Sequence, residues 1–253
     1  MNSDARAAVK PEIFHVDTDD LRDARACVVE GTKKGPVATT APSFRVGTIE
    51  KLADLLPGKT RHNWPKTYAT LIGLMAATGL RTGEALRLDR PDLDLERGVL
   101  TVRETKFHAS RMIPIHPSTT EALKSYMESR NTFRHSTVST RFLVSKQGKP
   151  LLPRHVRHTF QKIRQNAHIP VQHGQRPPRL YDLRHTFASQ RLVQWYRDGV
   201  DVNHAMALLS TYLGHVQVSD TYWYLSGLPE LFALVGRRFE RTLSGDKREA
   251  NHE

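Results

Sequence analysis

The sequence predicts an α+β fold that is mainly helical and includes a small antiparallel β-sheet. Three observations lead to this prediction. Apolar residues recur at helical spacing before residue 91, an alternating stretch follows near residue 100, and helical patterns return from Pro153 onward. A chain of 253 residues suits one large domain, or a domain with an appendage, and is long enough to bury a real core.

Two helices are predicted first. Apolar residues recur along Lys66–Thr78, and Gly79 is placed to end that helix. A second helix should begin near Thr82, with Glu84 in its first turn, and should stop before Pro91. A tight turn between two helices is therefore expected at residues 79–82.

A β-hairpin is predicted next. Gly98–Arg103 and Arg111–His116 both alternate between apolar and polar residues and are separated by a polar turn. Phe142–Val144 gives a weaker strand signal. From Pro153 to the end of the chain the pattern is helical, with prolines and glycines marking the turns.

The charge of the chain is strongly positive and unevenly distributed. The sequence has 38 Lys and Arg against 26 Asp and Glu, a formal net charge of +12. Eleven Lys and Arg lie between Ser129 and Tyr181, and this stretch contains no Asp or Glu. A stretch of one sign within a folding sequence is typical of a surface that binds phosphates. At this level RNA, DNA and anionic lipid are all possible partners.

Other features narrow the class of protein. The longest apolar run, near Leu71–Ala77, is far shorter than the ~20 residues of a membrane span, and the first residues lack the apolar stretch of a secretory signal. Cys27 is the only cysteine, which excludes an internal disulfide and a cysteine-based zinc site. We therefore expect a soluble, cytoplasmic protein.

Four short segments contain polar residues of the kinds that act on a phosphodiester. They hold Arg81, Lys106, Arg184, and His215 with Tyr224. Taken singly, each has an ordinary explanation as a surface arginine, a solvated lysine, a capping histidine or a core tyrosine. The set as a whole points to phosphoryl transfer.

The chemistry of the set needs no metal. Two arginines can fork onto the non-bridging oxygens of one phosphodiester and stabilise its transition state. A tyrosine hydroxyl is a nucleophile when a neighbour accepts its proton, and a lysine can protonate the leaving oxygen. No carboxylate cluster suited to Mg²⁺ accompanies the set, so a two-metal nuclease is disfavoured and neither a metal nor a cofactor is expected.

The segments resemble the conserved boxes of the tyrosine recombinases, also called the phage integrase family. Thr78–Glu84 (TGLRTGE) resembles the first-arginine box, Leu183–Ala188 (LRHTFA) the second-arginine box, and Leu213–His215 (LGH) the leucine-glycine-histidine box. Tyr224 follows His215 by nine residues, the interval expected of the family's nucleophile. The resemblance covers residues 47–239 and implies the catalytic-domain fold of the family.

The resemblance also implies roles and partners. The implied roles are phosphate binding by Arg81 and Arg184, support from Glu84 and His185, proton donation by Lys106, hydrogen bonding by His215 with Tyr181, and nucleophilic attack by Tyr224. The implied reaction cuts and rejoins double-stranded DNA through a 3′-phosphotyrosyl link, with four protomers on two DNA sites. Finer detail around residues 195–215 resembles transposon-borne recombinases of the recombinase-in-trio kind. The sequence leaves open whether the outcome is integration, excision, inversion or transposition, and action at the prokaryotic nucleoid is expected.

The chain departs from the family pattern at one site residue. The second-arginine box usually begins with His, and here that position is Tyr181. A phenol can donate a hydrogen bond to a phosphate but is a poor proton acceptor at neutral pH, so we expect altered rather than abolished catalysis. His185 is adjacent to Arg184 in sequence, and the helix is expected to point it away from the position of Tyr181.

The chain also departs from the family pattern in its N-terminal segment. Residues 1–42 carry six basic and seven acidic side chains and are punctuated by Gly, Pro and Thr. We expect an irregular arm there, or a remnant of the family's core-binding domain, followed by the catalytic domain at 43–245 and a polar tail at 246–253. Pro229–Leu243 has an apolar face suited to docking on a neighbouring protomer or to packing on its own domain.

Two other functions remain open from the sequence. A DNA-binding remnant would keep the site residues but bind without recombining, because Tyr181 and the short N-terminal segment weaken catalysis and grip. A type IB topoisomerase-like enzyme would use the same chemistry to relax supercoiled DNA. An RNA-binding module is least favoured, since no aromatic motif of the usual RNA-binding folds is present.

Overall fold

The structure is a computed structural model that describes residues 64–103, 110–131, 139–169, 171, 176–222 and 224. In that part of the chain, a three-stranded antiparallel sheet accompanies seven α-helices. The helices are α1 Trp64–Thr78, α2 Thr82–Arg87, α3 Pro117–Asn131, α4 Pro153–Asn166, α5 Asp182–Arg197, α6 Val202–Leu213 and α7 Ser219–Tyr222; the strands are β1 Leu93–Asp94, β2 Val99–Val102 and β3 Arg111–Pro114. The predicted fold class is confirmed.

The first two helices form where the sequence predicts them. α1 buries Leu71, Ile72, Leu74 and Met75, and each such side chain contributes about 1.5–3 kcal/mol by leaving water. α1 ends at Gly79, which has a φ of +62°. A left-handed residue closes the helix and turns the chain directly into α2.

The hairpin is also found as predicted. β2 and β3 pair antiparallel, with Leu100 opposite Ile113 and Val102 opposite Arg111. Leu100 and Ile113 are fully buried and fix the face that turns toward the core. β1 was not predicted, because a strand of two residues is too short to show alternation.

Two elements differ from the sequence prediction. Phe142–Val144 is buried but forms no regular strand; its only ladder contact is an isolated bridge from Val144 to Pro150. α3 was not predicted, although Thr120, Leu123, Tyr126 and Arg130 are buried at helical spacing along it. Most of its remaining positions are polar, so the apolar stripe is narrow and easily missed.

The packing of α1 brings distant parts of the chain together. α1 packs against α3 on one side and α5 on the other, while α5 contacts α6 and α6 contacts α7. As a result the end of α1, the start of α2, the start of α5 and the end of α6 meet. Several predicted features lie outside the described residues: Lys106, the arm at 1–42, the segment Pro229–Leu243 and the tail at 246–253.

Candidate active site

Arg184 is buried at the meeting point of three helices. Its Nη1 donates a 2.8 Å hydrogen bond to the carbonyl of Gly79, and its Nη2 donates one of 2.8 Å to the carbonyl of Leu213. One guanidinium therefore joins the ends of α1 and α6 to the start of α5. Burial lowers the pKa of Arg184, and the positive charge of Arg81 lowers it further.

Arg81 immediately precedes α2, and its guanidinium also lies at the end of α6. Its Nη1 donates a 2.8 Å hydrogen bond to Glu84 Oε1, and its Nη2 donates one of 3.2 Å to the carbonyl of Gly214. The backbone N–H of Arg81 donates to Glu84 Oε2 at 3.0 Å. The carboxylate of Glu84 thus caps α2 and orients the arginine that precedes it.

Arg111 is a member of this cluster that the sequence analysis missed. Its two terminal nitrogens donate to the two carboxylate oxygens of Glu84, at 3.2 and 2.9 Å, and its Nε donates to the carbonyl of Tyr212 at 2.9 Å. In the sequence, Arg111 is an arginine at the start of a predicted strand, and this position alone does not indicate a role in the site. Its position five residues after Lys106 placed it on the hairpin but did not indicate its partner.

Glu84 is held as an anion by the two arginines. Its side chain is only 3% exposed. Burial by itself raises the pKa of Glu84, but hydrogen bonds and charge from Arg111, together with hydrogen bonds from Arg81, lower it to about 2. The carboxylate therefore stays charged throughout the physiological range.

His215 follows α6 and the positive-φ residue Gly214. Its Nδ1 shares a 2.7 Å hydrogen bond with the hydroxyl of Thr221, which is fully buried in α7. Burial lowers the pKa of His215 to about 4, and the positive charges of Arg184 and Arg81 contribute. The imidazole is thus neutral at neutral pH, with its ring position set by Thr221.

Tyr224 lies just beyond α7 and packs on His215. The two rings are stacked with centroids 6.0 Å apart and an interplanar angle of 14°. Burial raises the pKa of the Tyr224 hydroxyl, while the charge of Arg184 and a hydrogen bond with it act in the opposite direction. Tyr224 is 5% exposed, so its hydroxyl belongs to the interior cluster.

His185 does not point where the sequence analysis expected. Its ring lies 5.2 Å from the ring of Tyr181 and 5.2 Å from the ring of Tyr224, measured between centroids. The expectation was wrong because His185 is four residues after Tyr181, and residues at that spacing share one face of a helix. Burial lowers the pKa of His185, so a neutral imidazole stands between the two phenols.

Two other tyrosines near the leucine-glycine-histidine box, Tyr212 and Tyr222, are placed differently from Tyr224. Tyr212 is buried, stacks on Phe187 with ring centroids 5.6 Å apart, and offers its carbonyl to Arg111. Tyr222 is 45% exposed at the end of α7. Of the predicted site residues, Arg81, Glu84, Arg184, His215 and Tyr224 form one connected cluster, with Tyr181 at its edge through His185.

The described residues form neither a metal centre nor a membrane-spanning helix. In the described ranges, no group of three His, Cys, Asp or Glu side chains is arranged to hold a metal ion. Nor does any helix in this part of the chain have the length and apolar character needed to cross a bilayer.

Residues 48–229 match the family model described as the phage integrase family. The chain belongs to this family. The match includes every site residue from Arg81 to Tyr224, and it confirms the resemblance found in the sequence boxes.

A curated protein is similar to this chain over much of its length. The chain is 40% identical over 178 residues to the putative integrase/recombinase y4rB of Sinorhizobium fredii, covering 70% of this chain and 57% of that protein. The chain thus spans little more than half the length of the curated relatives it matches.

Solved structures share the fold. The XerA recombinase superposes with a TM-score of 0.64 at 20% identity, covering 83% of this chain and 67% of that one. The Tn1549 transposon integrase in complex with transposon right end DNA gives a TM-score of 0.58 at 17% identity, covering 89% and 75%.

Proposed function

We propose that this protein is a site-specific tyrosine recombinase that cuts and rejoins double-stranded DNA through a 3′-phosphotyrosyl intermediate. The observation that carries the proposal is the convergence of Arg81, Arg184, His215 and Tyr224 at the ends of separate helices. Residues brought together from positions 81 to 224 share one small volume, and their combined chemistry matches a single reaction. Membership of the phage integrase family supports the same conclusion.

The two arginines bind the scissile phosphate in this proposal. Arg184 is rigidly placed, because two backbone carbonyls accept hydrogen bonds from its guanidinium, which is also hydrogen-bonded with Tyr224. The side chain of Arg81 is 34% exposed and presents its charge to the approaching DNA. Together they stabilise the charge that develops on the phosphorus oxygens in the transition state.

Tyr224 is the nucleophile. Its Oη forms a bond to phosphorus as the bond from phosphorus to the 5′-oxygen breaks, and the leaving oxygen takes a proton from Lys106. The phenolic proton of Tyr224 passes to a neighbouring acceptor, and the candidate is neutral His185, whose ring centroid lies 5.2 Å from that of Tyr224. Because Tyr224 is buried, DNA binding must uncover its hydroxyl before attack.

The reverse reaction completes strand exchange. The 5′-hydroxyl of a partner strand attacks the phosphotyrosyl bond and releases Tyr224, so the energy of the phosphodiester is conserved. No nucleotide triphosphate is required, and the arginines and Lys106 take the place of a metal. Four protomers on two DNA sites would carry out the exchange, acting in the cytoplasm at the nucleoid.

α4 supplies a surface for the DNA backbone. The helix buries three apolar residues and exposes basic ones on its other faces. The buried residues are Val156, Phe160 and Ile163, and the exposed basic residues include Arg154, Arg157 and Lys162. Since residues 129–181 contain no acidic side chain, the helix itself and the sequence around it contribute no counter-charge that would compete with phosphates.

Covalent trapping tests the proposal. Nicked duplexes carrying the ends of the genetic element that encodes this protein are incubated with wild type, Tyr224→Phe and Tyr222→Phe, then separated under denaturing conditions. We expect a covalent protein–DNA adduct with wild type and with Tyr222→Phe, and none with Tyr224→Phe. Tyr222 is the matched control because it is an exposed phenol two residues away.

Other outcomes select the alternatives. An adduct with Tyr224→Phe would show that another residue is the nucleophile. Salt-sensitive binding without an adduct for wild type would support a DNA-binding remnant, and restoration of the adduct by Tyr181→His would trace the defect to the second-arginine box. Relaxation of supercoiled plasmid lacking any specific site would support the topoisomerase-like alternative.

A further inference from the structure

We infer that Arg111 is a positioning residue of the recombination reaction, which neutralises Glu84 so that Arg81 keeps its positive charge for the DNA phosphate. The inference rests on the proposed function and extends it to a residue outside the sequence boxes. It follows from three features of the structure: the hydrogen bonds of Arg111, the charge balance around Glu84, and the close approach of Arg111 to Gly214.

Arg111 is fixed by all three of its guanidinium nitrogens. The two Nη atoms form a fork on the carboxylate of Glu84, and Nε is bonded to the carbonyl of Tyr212. The side chain is 12% exposed, so the ion pair lies largely out of water. A forked arginine–carboxylate pair of this kind restricts the orientation of both groups.

The charge balance around Glu84 depends on Arg111. Glu84 accepts hydrogen bonds from Arg81 and Arg111, so one negative charge meets two positive charges. If Arg111 were neutral, Glu84 would cancel the charge of Arg81, and little net attraction for a phosphate would remain. With Arg111 present, Glu84 still orients Arg81, and the two arginines and the carboxylate together keep a net charge of one positive unit.

The strand position of Arg111 adds a structural link. Arg111 begins β3 opposite Val102, the last residue of β2, and the segment 104–109 that contains Lys106 joins these strands in sequence. The ion pair with Glu84 therefore ties the hairpin that carries the proposed general acid to α2. The bond to Tyr212 ties it to the last turn of α6, next to Gly214 and His215.

The lack of a side chain at Gly214 leaves room for the guanidinium of Arg111. A Cβ atom at Gly214 would lie 2.7 Å from Arg111 Nη1 and 2.9 Å from its Cζ, and the φ of Gly214 is +69°. The absence of a side chain lets the guanidinium sit directly against the chain that leads into His215. Arg111 is thus in contact with the backbone of the leucine-glycine-histidine box as well as with Glu84.

The test is a double-mutant cycle on the rate of adduct formation. Wild type, Arg111→Met, Glu84→Gln and the double variant are mixed in excess with the nicked duplex, and the first-order rate constant is measured at saturating protein. We expect Arg111→Met to slow adduct formation by about tenfold or more, while DNA affinity changes by less than about threefold. Arg111→Lys, which keeps the charge but not the fork, should recover part of the rate.

The effect of Arg111→Met in the Glu84→Gln variant shows whether Arg111 acts by compensating the charge of Glu84 or only by supporting the structure. We expect Arg111→Met to change the rate by less than about threefold in that background, because no carboxylate then competes for Arg81. This comparison also remains possible if Arg111→Met alone fails to fold, since the double variant buries no unpaired charge. Equal effects of Arg111→Met in both backgrounds would overturn the inference.

Arg103→Met is the matched control. Arg103 follows the last residue of β2 and pairs with buried Asp92, so it is an arginine–carboxylate pair of the same hairpin that does not involve Glu84. Its rate should stay within about twofold of wild type. A loss as large as that of Arg111→Met would show that any loosening of the hairpin suffices and would overturn the specific role of Arg111.

A readout without catalysis separates this inference from the proposed function. If wild type forms no adduct, the proposed function fails, but the pairing can still be read from the ¹³C NMR titration of the Glu84 carboxylate. In Arg111→Met the Glu84 carboxylate should titrate at a clearly higher pH than in wild type. An unchanged titration would overturn the inference whatever the activity.

Discussion

Thr221 shares a hydrogen bond with Nδ1 of His215 and so orients the imidazole ring. The hydroxyl of Thr221 and Nδ1 of His215 share a 2.7 Å hydrogen bond, and Thr221 is fully buried. When the hydroxyl donates to Nδ1, the ring carries its proton on Nε2, where it can donate to a phosphate oxygen. The role proposed for His215 therefore depends on a threonine six residues later in the chain.

Replacing Thr221 by Val should weaken catalysis without unfolding the protein. Valine fills a similar volume but leaves Nδ1 without its partner, so we expect adduct formation to slow by about threefold to tenfold. Thr221→Ser keeps the hydroxyl and should stay near the wild-type rate. The measurement is the rate of covalent trapping at pH 7, well above the lowered pKa of His215 in the wild-type protein. Equal rates for Val and Ser would show that Thr221 does not orient His215.

Individual residues differ in how much the sequence revealed about them. Arg81, Arg184 and His215 were predicted because each lies in a recognisable box, and Tyr224 was predicted from its interval of nine residues after His215. Arg111 was missed because its partner, Glu84, is 27 residues away and only the packed hairpin brings them together. His185 was misjudged because its neighbour in sequence, Arg184, turns inward while His185 follows the helix face of Tyr181.

The turn between α1 and α2 is the element that sets the geometry of the first arginine. Gly79 has a positive φ and offers its carbonyl to Arg184, while a Cβ at this position would lie 2.6 Å from Phe187 Cδ1 and 3.0 Å from Leu213 Cδ2. Both the backbone conformation and the close packing therefore require glycine. Arg81 follows two residues later and takes its direction from this turn.

A pair of glycine variants tests this account. Gly79→Ala should reduce the free energy of unfolding by about 1–3 kcal/mol, because the methyl group strains the backbone and collides with Phe187. Gly73→Ala is the control: it lies within α1 with open space around it, and alanine should stabilise the helix by about 0.5–1 kcal/mol. Urea unfolding measures both. Similar effects of the two changes would contradict a special role for the turn.

At the scale of the whole molecule, the net charge of +12 is concentrated where the proposed DNA surface lies. The eleven basic residues between Ser129 and Tyr181 include the exposed arginines and lysine of α4. Binding of a polyanion to such a face releases counterions, so affinity should fall steeply as salt rises. This behaviour belongs to the assembled surface and to no single residue.

Neutralising two charges of α4 should therefore change the salt dependence. For Arg157→Gln combined with Lys162→Gln, the slope of log K against log salt should become shallower by about 1.8, corresponding to two phosphates. Arg97→Gln combined with Lys124→Gln removes the same charge from exposed positions outside the stretch and should leave the slope nearly unchanged. Fluorescence anisotropy with a labelled duplex measures both. An equal change in the two double variants would show that the positive charge acts as a diffuse field.

The sequence by itself determined the fold class and the family, and it predicted four site residues that the structure brings together. Periodicity is local, so α1, α2 and the hairpin could be predicted from neighbouring residues, and the boxes are short enough to recognise within a few positions. α3, which has a narrow apolar stripe, and β1, which has only two residues, could not be predicted in this way, since their burial depends on what packs against them.

Only the tertiary structure decided how the site residues are held. The fork of Arg111 on Glu84, the two carbonyls that fix Arg184 and the contact of His185 with Tyr224 all join segments far apart in the chain. Such contacts depend on the angles at which helices meet and on which carbonyls are left free at their ends. These properties arise from packing, and no local pattern of residues encodes them.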